Sequence, residues 1–150
     1  MSKLYNIKDC VQDLEEVVDM IYSQWGKFFR KTKEEKITEI KNAVANNLSF
    51  PIVYVMKEEN EIIGTFTIKE MLVDEKEVTS VWYLMIKKEF RGKGYGRKLL
   101  EHLNDVCKEY NQIYLVTEHV DFYEKIGFKF IKEVEHNGQT DRLYFKQLSN

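Results

Sequence analysis

The sequence predicts a mixed α/β (α+β) domain with the element order β-α-α-β-β-β-α-β-α-β-β. Three observations carry that expectation. Apolar spacing switches repeatedly between a period of two and a period near 3.6 along the chain. No internal repeat, low-complexity tract or Pro/Gly linker interrupts it, and Pro51 is the single proline. Three alternate glycines, Gly92, Gly94 and Gly96, stand between a strand-like run and a helix-like one. At 150 residues and 43% hydrophobic composition, one core is expected, as a single domain over 1–150.

The elements follow in order. A short strand is expected over residues 4–7. Asp9 reads as an N-cap with Gln12 three residues on, leading a helix striped by Val11, Leu14, Val17, Val18 and Ile21. Thr32 and Glu35 form a second capping box, before a helix carrying Ile37, Ile40 and Val44. Pro51 opens a strand over 52–56, joined through a charged turn at 58–61 to a partner over 62–71. After a second charged turn comes the run Val81-Trp82-Tyr83-Leu84-Met85-Ile86, whose aromatic and β-branched content suits a buried strand. Beyond the glycines, Leu99, Leu100, Leu103, Val106, Cys107 and Tyr110 repeat at the helical period. Residues 113–116 make a short apolar strand. A brief helix around 120–126 stops at Gly127, a natural C′ residue. Residues 128–134 and 142–146 alternate around Asn137-Gly138, the mark of a hairpin turn.

The glycine turn carries the chemistry. Glycines between a strand and a helix let backbone N–H groups converge, and a helix start adds unpaired donors and the positive end of the peptide dipole. Such a turn suits an anion, most often a phosphate. Arg91, Lys93 and Arg97 flank it. A Walker-type loop fails here because Arg97 takes its second glycine position and no Lys-Ser/Thr follows. The dinucleotide fingerprint begins with Gly92 and Gly94, finds Arg97 at its third glycine, and would draw on Glu118 as the ribose acid. The pattern R-x-x-G-x-G fits without strain as Arg91, Gly94 and Gly96.

With that pattern, with Leu84-Met85-Ile86-Lys87-Lys88-Glu89-Phe90 before it and Phe122-Tyr123-Glu124-Lys125-Ile126-Gly127-Phe128 after it, the chain resembles the GCN5-related N-acetyltransferase (GNAT) superfamily. The resemblance covers about residues 80–131. It implies a twisted, mostly antiparallel mixed sheet with helices on both faces, and acetyl-CoA as donor. It would set the coenzyme's pyrophosphate on the backbone N–H groups of Gly92, Lys93, Gly94, Tyr95 and Gly96 and at the start of a helix from Arg97. Arg91 would order the loop or meet a phosphate. The pantetheine arm would lie along the backbone of Leu84, Met85 and Ile86, where a gap opens toward the next strand. The N–H of Met85 or Ile86 would stabilise the carbonyl oxygen.

The resemblance also places Tyr123 beside the departing sulfur as general acid. A phenol with a pKa of about 10 keeps its proton at neutral pH. The general base is left open between Glu118 and His119, with Glu70 a weaker candidate, and the role stays unfilled where the amine arrives already deprotonated. Here the chain departs from the family pattern: Thr117-Glu118-His119 replaces a commonly found asparagine, and the link from Val116 to Tyr123 is short. Trp25, Phe28 and Phe29, between the first two helices, would line the pocket of a small-molecule primary amine. Acceptance of a protein N-terminus or lysine, a non-catalytic acetyl-CoA-sensing module, and an NAD-binding fragment are the competing readings.

Bulk properties narrow the partners. A net charge of −2 gives no bias toward nucleic acid or anionic membrane. The longest uncharged apolar run is far too short to span a bilayer, and a signal peptide's apolar region is missing, so a cytoplasmic protein is expected. Cys10 and Cys107 read as reduced thiols. His102, His119 and His136 lack ligand spacing, so no metal is expected. The last hairpin offers an edge at which a second copy could pair, which leaves a homodimer open.

Overall fold

The computed structural model describes residues 1–118, 123–136 and 138–147. Among the described residues, seven strands join one sheet in the order β1-β2-β3-β4-β5-β7-β6. They are β1 (Lys3–Asn6), β2 (Ile52–Glu58), β3 (Glu61–Val73), β4 (Lys76–Ile86), β5 (Gln112–Thr117), β6 (Lys129–His136) and β7 (Gln139–Gln147). Three α-helices among the described residues accompany them: α1 (Leu14–Trp25), α2 (Lys33–Ala45) and α3 (Tyr95–Cys107). Every strand pair is antiparallel except β4 with β5. A parallel pair needs a long crossover, and α3 supplies it.

Helices cover both faces, as expected, because the strands are apolar on both sides. Val53 and Val55 of β2 join α1 and α2 residues such as Leu14, Val17, Ile21 and Ile40 in one core. Met56, Phe66, Ile68, Val81 and Leu115 pack with Leu99, Leu103 and Cys107 of α3 in the other. Each core holds one buried, free cysteine, Cys10 in the first and Cys107 in the second. Gly64 sets how closely α3 approaches the sheet: a Cβ there would stand 2.9 Å from the Met85 carbonyl and 3.3 Å from the Leu99 side chain.

The Thr32/Glu35 capping box forms, with Glu35 N–H donating to Thr32 Oγ1 at 3.1 Å and Thr32 N–H to Glu35 Oε1 at 2.9 Å. The expected box at Asp9 and Gln12 does not. Asn6 accepts from the Lys8 N–H instead, and two 3₁₀ turns, Ile7–Asp9 and Val11–Asp13, lead the chain into α1 at Leu14. These turns let Ile7 and Cys10 bury beside Leu14 before the helix begins. The two charged turns are tight hairpins with both central residues at positive φ, Glu59 and Asn60, then Asp74 and Glu75. The brief helix expected around 120–126 is a 3₁₀ turn over Tyr123–Ile126 within the described residues, ending at Gly127 (φ +96°). Asn137 of the expected final turn lies outside them.

Candidate active site

The site begins where two neighbouring strands part. β4 and β5 pair only at Ser80–Tyr114 and Val81–Leu115, although β4 runs on to Ile86 and β5 to Thr117. The cause is local. Thr65 opposes Met85 while Thr67 opposes Trp82, so β4 carries an extra residue between these pairs. Tyr83 sits there at φ +55°, a bulge conformation that bulky residues seldom adopt. The bulge turns Trp82 and Tyr83 to the same side of the sheet, where strict alternation would separate them.

A cleft of about 610 Å3, its open mouth included, fills the parting. Val81, Leu84, Leu115 and Tyr123 line one side, Trp25, Phe28, Phe29, Trp82 and Tyr83 the other, and Thr117, Glu118, Gln139 and Asp141 the end. The three predicted acceptor-side aromatics therefore stand together on it. Trp25 and Phe29 hold the Tyr83 ring between them, at centroid distances of 5.5 and 5.4 Å.

Tyr123 is 2% exposed and packs against Phe128 and Tyr144. Burial pushes its pKa up to about 12, with a side-chain hydrogen bond to Thr117 pulling the other way. Glu118 lies exposed at the cleft end, with Gln139 Nε2 3.5 Å from its Oε2. His119 lies outside the described residues. Glu70 is not in the cleft; it borders a separate groove beyond Phe29.

Sequence reasoning missed Asp141. Among the described residues it is the one carboxylate in the buried class, 8% exposed, and Gln139 Nε2 donates to its Oδ1. The strand was expected to begin at Arg142, which left Asp141 in the turn; β7 in fact starts at Gln139. The missed signal was alternation, since Gln139 and Asp141 share a face with Leu143, which packs on Trp82 and Val116.

Of the expected arm-binding trio, Leu84 borders the cleft, whereas the Met85 side chain is buried in the α1–α2 core. Lys87 N–H donates to the Ile63 carbonyl at 2.8 Å. Alternation along this antiparallel ladder then directs Met85 N–H toward β3 and Ile86 N–H toward the gap. The Ile86 carbonyl is taken by Arg91, whose Nε donates to it at 2.9 Å while its Nη2 donates to Gln24 Oε1 at 3.2 Å. Arg91 thus ties the glycine turn to the end of β4 and to α1.

The turn itself is open. Gly92 and Gly94 have φ of +78° and +85°, and Gly94 is the N-cap of α3 with no side chain capping the first turn. A Cβ built on Gly92, Gly94 or Gly96 would meet nothing within 4 Å, so space above the turn is free for a ligand. The helix begins at Tyr95, two residues earlier than the expected start at Arg97. This puts Gly96 and Arg97 among the first-turn N–H donors. The Tyr95 side chain turns away and donates to Glu58 Oε1 at 2.9 Å, leaving only its backbone at the turn. Lys93 and Arg97 are exposed beside it. Among the described residues no group of metal-ligating side chains comes together, and no helix is long and apolar enough to cross a membrane.

Comparison with known proteins supplies the family. Residues 50–130 match the model of the acetyltransferase (GNAT) domain. The "Uncharacterized N-acetyltransferase CT2212" of Chlorobaculum tepidum is 30% identical over 82 residues, which cover 53% of this chain and 51% of that protein. The match thus spans about half the length of this relative. An acetyltransferase from Thermus thermophilus shares the fold at a TM-score of 0.70 and 18% identity, over 99% of this chain and 97% of its own. A GNAT-family acetyltransferase from Staphylococcus aureus does so at 0.69 and 19%, over 99% and 100%. A glycine turn opening α3, a gap where β4 leaves β5, and a family match across both are parts of one conclusion: the chain belongs to the GNAT acetyltransferase family.

Proposed function

We propose that this chain is an N-acetyltransferase that moves an acetyl group from acetyl-CoA to the primary amine of a small molecule. The observation that carries the reading is the cleft at the β4–β5 parting, with a buried phenol on one side and an aromatic wall on the other. The uncapped α3 start supports a pyrophosphate site, because its N–H donors are charge-complementary and the space above Gly92, Gly94 and Gly96 is open. Backbone groups of β4 from Leu84 to Ile86 would hold the arm as a neighbouring strand would. N–H groups at the Tyr83–Leu84 bulge serve the carbonyl oxygen better than Met85, since the cleft borders Leu84 and not Met85.

Asp141, with Glu118 beside it across Gln139, takes the proton that an alkylammonium must lose before it can attack. The new C–N bond forms as the C–S bond breaks. Tyr123 presents its O–H to the departing thiolate; with a pKa near 12 it stays protonated at neutral pH and acts chiefly as a hydrogen-bond donor until negative charge has gathered on sulfur.

The test is a free-thiol release assay over a panel of small primary amines, corrected for spontaneous thioester hydrolysis, with calorimetry of acetyl-CoA and NAD alongside. Amine-dependent thiol release with acetyl-CoA binding is expected. Acetyl-CoA binding without turnover of any amine would make the chain a sensor, and binding of NAD in place of acetyl-CoA would end the reading.

A further inference from the structure

The groove on the far side of Phe29 is built differently from the cleft. Arg30, Lys31, Lys36 and Lys69 border it against Glu39 and Glu70, a formal excess of two positive charges, in a space of about 1000 Å3 with its open mouth included. Glu39 is already engaged by Lys31 and Lys36. Lys69 projects from β3 onto the face that carries Trp82 and Tyr83. Its Nζ stands 4.2 Å from the Trp82 ring centroid, 5.1 Å from that of Tyr83 and 3.3 Å from Tyr83 Oη. Among the described residues no carboxylate lies within ion-pair distance of it. Burial, reinforced by the charge of Lys36, lowers its pKa to about 8. Among the described residues this half-buried ammonium is compensated by the two ring faces and by the Tyr83 hydroxyl to which it donates, with Glu39 acting on it only through space.

The same two rings, with Phe29, are the wall of the acceptor cleft. The groove and the cleft share Phe29, and Tyr83 on the cleft wall touches Lys69 of the groove, so a ligand lying across Phe29 and Tyr83 would reach from one to the other. We infer that the acceptor amine carries a carboxylate at its other end, which the basic groove receives at Lys69. This rests on the acetyl-transfer reading above, and it makes the acceptor a zwitterion: its ammonium meets Asp141 and Glu118 at one end, its acid meets Lys69 at the other, and an apolar body lies between.

The test uses benzoate and benzamide, which have the same shape and lack any amine, so that binding is read without turnover. Calorimetry at pH 7 should show benzoate binding about tenfold or more tighter than benzamide, the size expected for a desolvated charge-assisted contact. Lys69→Met should erase the difference and Lys69→Arg should retain most of it, with circular dichroism and thermal melts showing both variants folded. Equal binding of the two probes by the unmodified protein overturns the inference and needs no variant; so does a benzoate preference that survives Lys69→Met. In the thiol-release assay, 4-(aminomethyl)benzoate should exceed benzylamine in kcat/KM. If benzoate binds through Lys69 but no amine is acetylated, the acetyl-transfer reading fails while the anion site stands. If benzylamine is acetylated as well as its acid, the acceptor assignment fails while acetyl transfer stands.

Discussion

Replacing Gly96 by alanine separates the demands of the fold from those of the ligand. Gly96 is the second residue of α3, its φ is not positive, and a Cβ there meets nothing within 4 Å. The folded chain should therefore accept the methyl group without strain. Alanine is favoured over glycine in a helix by up to about 1 kcal/mol, somewhat less in a first turn. In a domain of this size that is worth roughly 2–4 °C in Tm per kcal/mol. A pyrophosphate seated on the first-turn N–H groups would meet the new methyl group directly. Losing one charge-assisted hydrogen bond there costs about 1.5–3 kcal/mol, a weakening of roughly 10- to 100-fold in Kd. Calorimetry with acetyl-CoA and a thermal melt read both numbers on one preparation. A variant with unchanged or raised Tm and unchanged Kd for acetyl-CoA would refute the placement of the coenzyme's phosphates. Gly92 or Gly94 would not serve as well, because alanine at their positive φ strains the backbone and mixes the two effects.

Three other outcomes follow from the site. Tyr123→Phe should lower kcat by roughly 100-fold while the Kd for acetyl-CoA stays within about twofold, as measured by steady-state kinetics and calorimetry; an unchanged kcat removes the phenol from the mechanism. Asp141→Asn preserves shape and should lower kcat/KM for the amine by roughly 100-fold at pH 7 without altering coenzyme binding; full activity would return the base to Glu118 or to solvent. Lys69→Met should alter the pH dependence of stability. The folded state holds this lysine at about 8 against 10.5, so the unfolded chain binds more protons between those values, and stability of the unmodified protein rises across the window by ~3 kcal/mol. Below about pH 8 the cost is present in full, above 10.5 it is gone, and the methionine variant lacks the rise. Urea melts of both proteins at about pH 7 and pH 10 measure it; parallel curves would show that the ammonium is not desolvated.

What the sequence made legible was local. The Thr32/Glu35 capping box, the α3 stripe of Leu99, Leu103 and Cys107, and the glycine turn each depend on residues within a turn or two, and each forms. The start of α1 misled because Asp9 and Gln12 satisfy a short-range rule that burial of Ile7 and Cys10 overrides. The site divides in the same way. Trp25, Phe28, Phe29, Glu118 and Tyr123 were named from motif and position, and all five border the cleft. Asp141 and Lys69 were not, because their environments are made by distant strands: β7 brings Asp141 beside β5, and β3 brings Lys69 under Trp82. A charged residue in an ordinary alternating strand carries no mark of what the neighbouring strand will set against it.

The Tyr83 bulge shows why these pieces belong to one device. A strand inside a sheet that leaves its neighbour exposes N–H and C=O groups that ordinary packing would pair, and the left-handed conformation of a tyrosine adds a further cost. Residues of β4 on either side of the bulge are buried in the cores, Val81 before it and Met85 after it, and the Tyr83 ring packs against the α1–α2 core. The rearrangement does three things at once. It turns consecutive aromatic rings onto the cleft wall, it frees the β4 backbone from β5, and it leaves the end of that strand to be held by Arg91, the residue that also anchors the glycine turn to α1. The freed β4 backbone, the anchored glycine turn and the aromatic wall, to which the proposed function assigns coenzyme and acceptor, thus all meet at one extra residue in one strand, so shortening β4 at the bulge by deleting Tyr83 should re-pair β4 with β5 and close the cleft whether or not the turn still binds phosphate.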